Sequence, residues 1–250
     1  MKGTMWGVPA IAVILALIVL SMGANQPLFL SLNRLSQLTG DVLWANLTIL
    51  GDGLVVFVLV LLFAGRRPDV VWALILTALL ASVAAPVLKA LIGGGRPAAV
   101  LPLESFHIIG PVLQSGSFPS GHTMAVFAFT GAVSLLINRA WLTALLVLVA
   151  TSTGLSRIVV GAHWPLDVLG GAAIGWLCAV GGIALARRWE WGLREGAQRV
   201  FAVVLVLAAL VLLGGYDSRY EQAVWFQRII AVMCLLLAVP DLVWLFRRKR

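Results

Sequence analysis

Eight apolar runs dominate the sequence: residues 6–23, 43–64, 70–91, 120–138, 140–157, 166–186, 200–215 and 229–246. A helix needs about 20 mostly apolar residues, in a range of roughly 17–25, to cross the hydrocarbon core of a bilayer. All but the seventh run reach that length. Only 11% of the residues are charged and 61% are hydrophobic, whereas soluble domains carry roughly 25% charged residues. The chain is therefore expected to be an all-α polytopic membrane protein and not a soluble domain with a large core. Its first run, Val8 to Met22, follows Lys2 and also has the character of a signal peptide's apolar region. The text after it, SMGANQP, is a weak cleavage site. The alternating topology works with this run kept, so it is expected to stay as a first span.

Charge orients the spans. With the N-terminus in the cytoplasm, the inside segments carry Lys2, Arg66, Arg67, Arg139, Arg187, Arg188, Arg194, Arg199, Arg247, Arg248, Lys249 and Arg250, twelve in all. The outside segments carry six: Arg34, Lys89, Arg96, Arg157, Arg219 and Arg228. Lysine and arginine concentrate on the cytoplasmic side of membrane proteins. Both termini are thus expected inside. The net charge of +8 follows membrane topology, and no nucleic-acid partner is expected. Cys178 and Cys234 fall inside apolar runs and read as small buried hydrophobes.

Between the first two spans, residues 25–41 place Leu28, Leu32 and Leu35 at helical spacing, with Asn25 as a candidate cap and Pro27 in the first turn. This reads as an interfacial amphipathic helix, taken as a connector more than as a lip beside a lipid entrance. The loop from Ala98 to Phe118 is long and external, as binding loops often are. Its His107 is read as structural. In the last connector, Asp217, Arg219, Tyr220 and Glu221 are read as a solvated loop.

Three polar stretches interrupt the apolar text, and this topology sends all of them to the external face. Ionisable groups at membrane depth are costly and mark function by default. The first is KALIGGGRP, Lys89 to Pro97, whose three glycines let the chain leave a helix and turn Arg96 back towards Lys89. Alone it would equally fit two snorkelling bases. The second is PSGH, Pro119 to His122, in which Pro119 and Ser120 suit a helix start and Gly121 lets the backbone approach a ligand. The third is SRIVVGAHWPLD, Ser156 to Asp167. There Pro165 opens a helix, His163 lies just before it and Asp167 four residues on, where a carboxylate can take the second ring N–H of the histidine. The glycines of the sixth span, such as Gly171 and Gly175, read as close helix packing.

Together these residues make a phosphate site. Lys89, Arg96 and Arg157 supply positive charge, and Ser120 and the Gly121 N–H supply donors at a helix N-terminus. His163, oriented by Asp167, fits a nucleophile that attacks phosphorus, and His122 fits the acid that protonates the leaving oxygen. No metal-ligand spacing of Asp, Glu, His and Cys is present, so neither a metal nor another cofactor is expected.

The three stretches resemble, complete and in order, the motifs of the type 2 phosphatidic acid phosphatase superfamily: lysine, six residues, arginine–proline; then PSGH; then serine–arginine, five residues, histidine, three residues, aspartate. The resemblance implies a six-helix core over residues 1–186, including the interfacial helix, with residues 187–250 adding two further spans. It implies His163 as nucleophile, Asp167 as its partner and His122 as acid and base, with Lys89, Arg96, Ser120, Gly121, Ser156 and Arg157 around the phosphate. It also implies a lipid phosphate substrate, held on the periplasmic face of a bacterial inner membrane. Undecaprenyl diphosphate is the leading expectation, beside phosphatidic acid, phosphatidylglycerophosphate and lipid A phosphate. A phosphotransferase that hands the phosphoryl group to a second lipid is the nearest alternative. A transporter without chemistry is the distant one, since transporters carry their charges near the midplane.

Overall fold

A computed structural model describes the backbone of residues 2–247 and the side chains from residue 5 onwards. Lys2's side chain and Arg248, Lys249 and Arg250, counted above among the inward charges, lie outside the described residues. Among the described residues the chain is helical, without strands. In order the helices are α1 (Lys2–Ser21), α2 (Asn25–Asn33), α3 (Leu35–Thr39), α4 (Asp41–Ile49), α5 (Gly53–Leu59), α6 (Pro68–Ile92), α7 (Pro97–Val100), α8 (Gly121–Ile137), α9 (Ala140–Val159), α10 (Pro165–Arg188), α11 (Glu195–Gly214) and α12 (Val224–Arg247).

The eight expected spans correspond to α1, the α4–α5 pair, α6, α8, α9, α10, α11 and α12. Helices α6 and α9 to α12 are long and apolar enough to cross a membrane, and the pairs α1 with α2–α3 and α4 with α5 each pass as one bent span. Large apolar side chains on their outer surfaces, such as Leu17, Leu148, Leu207 and Leu236, are exposed, as lipid-facing residues are. The protein is an integral membrane protein.

Three expectations need correction. The second span is not one straight helix, because the chain breaks between Ile49 and Gly53 and bends by 60°. The Asp52 carboxylate accepts from the N–H groups of Leu54 and Val55 and restarts the helix. Gly51 sits there because a Cβ would collide with the His122 carbonyl oxygen at 2.8 Å. The seventh span is not short, since α11 starts at Glu195 and runs 20 residues. The interfacial helix is neither capped by Asn25 nor a loose connector. Its N-cap is Ala24, and Asn25 instead accepts from the Leu166 N–H at 3.1 Å. Its inward face is Phe29, Asn33 and Ser36, while Leu28 points outward. Leu28 suits lipid, Leu32 and Leu35 pack at the edge of the core, and the polar Asn33 turns inward to find partners.

Helix α10 is the centre of the bundle and packs against α8, α6, α1 and α9. Close approach to α8 is possible because Gly171 and Gly175 present no side chain; Cβ atoms there would run into the backbone of Ser120 and Met124. The last two helices share one core cluster with the second to sixth spans, where Leu205, Ala209, Leu212 and Ala231 cluster with Val55, Val58 and Leu61.

Candidate active site

The C-terminus of α6, the N-terminus of α8, the α9–α10 junction and the α11–α12 connector all come to one end of the bundle. Helix α8 has 17 residues, about 26 Å at 1.5 Å per residue, shorter than the roughly 30 Å hydrocarbon core.

Gly93 and Gly94 take positive φ values of 63° and 94°, conformations that glycine adopts freely. They end α6 and fold Arg96 back over it. Lys89 Nζ donates to the Gly116 carbonyl at 3.0 Å. Arg96 donates to Ser115, Gly116 and Ala162 carbonyls, at 2.8, 3.2 and 3.0 Å. The two cations are thus pinned by one loop carbonyl, and neither is neutralised by a carboxylate. A guanidinium is not deprotonated in proteins, so Arg96 remains a cation at neutral pH.

His163 is almost fully buried between two partners. Its Nε2 lies 3.0 Å from an Arg96 terminal nitrogen, and its Nδ1 lies 3.2 Å from Asp167 Oδ2. A guanidinium only donates and a carboxylate only accepts. Both contacts therefore demand the same neutral tautomer, with the proton on Nδ1 and a lone pair on Nε2. Burial holds this ring well below the ordinary histidine range, and the Arg96 and Arg157 charges push the same way. Asp167 Oδ2 also accepts from Ser117 Oγ at 2.5 Å and from the Trp164 N–H at 2.9 Å, so the carboxylate is fixed by the loop and by the first turn of its own helix.

Helix α8 docks on this group through its cap. Ser120 N–H donates to the Asp167 carbonyl at 3.0 Å, and the Ser120 hydroxyl accepts from Thr123 Oγ1. Ser120 is the N-cap and Pro119 lies just before it, outside the first turn. The first intrahelical bond runs from Met124 N to Ser120 O, so the N–H groups of Gly121, His122 and Thr123 have no intrahelical acceptor. His122 lies within electrostatic reach of Arg157, His163, Arg96 and Lys89.

Arg157 is buried close by. One of its terminal nitrogens donates to Thr48 Oγ1 at 2.6 Å and to Tyr220 OH at 2.7 Å, and its Nε has no partner. Ser156 does not join the group: its hydroxyl is fully buried and donates to the Thr153 carbonyl of its own helix at 2.6 Å.

Sequence reasoning missed Ser117, Thr48, Tyr220 and Asn33. Asn33 holds the site from outside, donating to the His107 and Val159 carbonyls and accepting from the His107 N–H, each at 2.8 Å. Phe29 beside it packs edge-on against Trp164 and Phe106. His107 is paired with Asp41 at 2.9 Å. Tyr220, expected in a solvated loop, is instead 4% exposed. Single serines, threonines and tyrosines carry no spacing signal.

An apolar groove of about 670 Å³ opens between α5, α6 and α8. Phe57, Leu74, Ala78, Ala125 and Phe129 line it, and Gly51, Gly121 and His122 stand at its polar end.

A family model described as the PAP2 superfamily matches residues 70–191. The lipid A 1-phosphatase of Rhizobium johnstonii is 36% identical over 123 residues, 46% of this chain and 47% of that protein. The undecaprenyl-diphosphatase of Sulfolobus acidocaldarius is 40% identical over 70 residues, 28% of this chain and 33% of that protein. The match thus spans a third to about half of these curated relatives. The crystal structure of Aquifex aeolicus LpxE is 34% identical with a TM-score of 0.59, over 64% of this chain and 94% of that one. The PAP2 type phosphatidylglycerolphosphate phosphatase of Bacillus subtilis, at 20% identity and a TM-score of 0.53 over 72% of this chain and 96% of that one, shares the fold. With all three motifs gathered at one end of the bundle and LpxE matched over nearly its whole length, this chain belongs to the PAP2 superfamily.

Proposed function

We propose that the protein is an integral-membrane lipid phosphatase working through a phosphohistidine at His163. The observation that carries this reading is an imbalance of charge. Lys89, Arg96 and Arg157 gather around a single carboxylate, Asp167, and bond to carbonyls and hydroxyls. Such a site is complete only with an anion of about two charges, which a phosphate ester supplies.

In the proposed cycle the incoming phosphate draws Arg96 from His163 Nε2 and frees the lone pair. Nε2 attacks the terminal phosphorus, the bond from that phosphorus to the leaving oxygen breaks (the lipid alcohol oxygen of a monoester, or the bridging oxygen of a diphosphate, which leaves as the lipid monophosphate), and protonated His122 gives a proton to that oxygen. Asp167 stabilises the positive ring through the Nδ1 proton. His122 then takes a proton from water, the water oxygen attacks phosphorus, and the N–P bond breaks to release phosphate. The three cations and the α8 N–H groups meet the charge on the transferring phosphoryl group. The cations fill the role that a metal ion would otherwise take. Among the described residues no three His, Cys, Asp or Glu side chains form a metal-ligand group.

The groove beside His122 supports a lipid carrier. One apolar groove suits one long chain, and this favours a polyprenyl diphosphate such as the substrate named for the Sulfolobus relative. The longer similarity to lipid A 1-phosphatases favours a lipid A phosphate as the second reading. In this reading the site faces the periplasm with both termini in the cytoplasm, supported by the twelve-to-six division of basic residues.

The test is phosphate release from a panel of lipid phosphates in detergent with EDTA, for wild type and His163→Ala. Release by wild type with at least a thousandfold loss in the variant, about the scale of removing a catalytic nucleophile, is the expected result. Equal release by both proteins would overturn the nucleophile. Release or transfer only when a second lipid is added would identify a phosphotransferase.

A further inference from the structure

The chain has two tyrosines, Tyr216 and Tyr220. Both stand in the connector of the last two helices, beyond the residues 70–191 that match the family model. Both send their hydroxyls into groups at the mouth of the site. Tyr216 donates to Asp52 Oδ2 at 2.8 Å, at the break in the second span. Tyr220 accepts from Arg157 at 2.7 Å, and its ring lies 5.8 Å from the guanidinium carbon.

We propose that Tyr220 is a positioning residue for Arg157, so that the C-terminal helix pair supplies part of the phosphate site. This rests on the reading of Arg157 as a phosphate ligand. A guanidinium has five N–H donors in a fixed plane. Thr48 from α4 and Tyr220 from the connector take both protons of one terminal nitrogen, which fixes the plane. The unpartnered, buried Nε and the second terminal nitrogen remain as the edge that meets phosphate. Two hydroxyls fix the arginine without cancelling its charge, as a carboxylate in either place would. Without Tyr220 the guanidinium has only Thr48 to set its rotation, and the bidentate geometry that arginine offers phosphate is lost.

The Tyr220→Phe variant isolates the hydroxyl, because the ring keeps its contact over Arg157 and its packing against Gly110. The measurement is the affinity of the full chain in detergent for inorganic phosphate, followed by calorimetry together with the melting temperature. The loss of a charged hydrogen bond predicts roughly tenfold weaker phosphate binding in Tyr220→Phe. Tyr216→Phe, which loosens the same connector but touches no cation, is expected to stay within about twofold of wild type, since it loses no contact to a phosphate ligand. In an Arg157→Met background, Tyr220→Phe is expected to add nothing, because coupled residues are not additive. Gly110→Ala presses a Cβ on the Tyr220 ring at 2.6 Å and also strains a backbone held at φ +83°; with a melting temperature equal to that of Tyr220→Phe it is expected to weaken binding as well. Wild-type affinity in both Tyr220→Phe and Gly110→Ala would overturn the proposal. Equal losses in the two tyrosine variants would reduce Tyr220 to a fastening. Absence of phosphate binding by wild type would overturn the phosphate-site reading itself, and the role of Tyr220 with it.

Discussion

His163 meets an obligate donor on one ring nitrogen and an obligate acceptor on the other, so its tautomer follows from the identity of its neighbours. Its pH behaviour follows from its surroundings. The ring is buried and faces Arg96 and Arg157, so it gains a proton only well below the ordinary value of 6.5. The neutral ring is the nucleophilic form. The acid limb of kcat/KM that belongs to His163 is therefore expected below pH 6.5, after substrate ionisation is measured separately. An acid limb at or above 6.5 that remains in wild type after substrate ionisation is subtracted, and that matches the titration of the His163 ring followed by NMR, would contradict the burial argument. At this scale much was legible in the sequence. Lys89, Arg96, His163 and Asp167 carry fixed spacings, and those spacings place them on adjoining helix ends. Ser117, Thr48 and Tyr220 carry none, because a lone hydroxyl in a sequence looks the same whether it faces lipid, water or an arginine. Ser156 shows the converse: it stands beside Arg157 in the motif, yet one residue along a helix is a turn of about 100°, and it faces its own backbone.

Among the elements, the small residues of α10 were readable as close packing, whereas the second span read as one continuous apolar run and its break at Gly51 to Gly53 was not. The face of α2 was not readable. Leucine spacing marks one side of a helix as inward, but here Leu28 is exposed and Leu32 and Leu35 sit at the edge of the buried side. Phe29 and Asn33 form the inward side here, and Asn33 ties the long loop to the end of α9. Asn33→Leu keeps the size and removes the hydrogen bonds to Val159 and His107. Leaving those buried backbone groups unpaired is expected to cost roughly 1–3 kcal/mol, read as lower stability in denaturant-induced unfolding in detergent. An unchanged midpoint would mean that water replaces the side chain. Activity should fall with stability, because the same helix covers Trp164, next to His163.

For the whole molecule, the groove between α5, α6 and α8 joins the polar end to the hydrocarbon region. Ala125→Phe would fill part of it. Excluding even two methylene groups from apolar contact, at about 0.8 kcal/mol each, predicts about a tenfold loss of kcat/KM for a long-chain lipid phosphate. A short-chain, water-soluble phosphate should be turned over as before. Equal effects on both would place the lipid chain elsewhere. The apolar runs, their order, the grouping of the basic residues and the three polar motifs were determined by the sequence alone, because hydropathy and motif spacing are local properties of the chain. The bend at Gly51, the inward turn of Asn33, the groove and the reach of Tyr220 to Arg157 were decided only by tertiary structure. Each depends on which helices become neighbours, and in an apolar bundle that choice is made by the fit of small residues and by the need of every buried polar group for a partner, neither of which is visible one segment at a time.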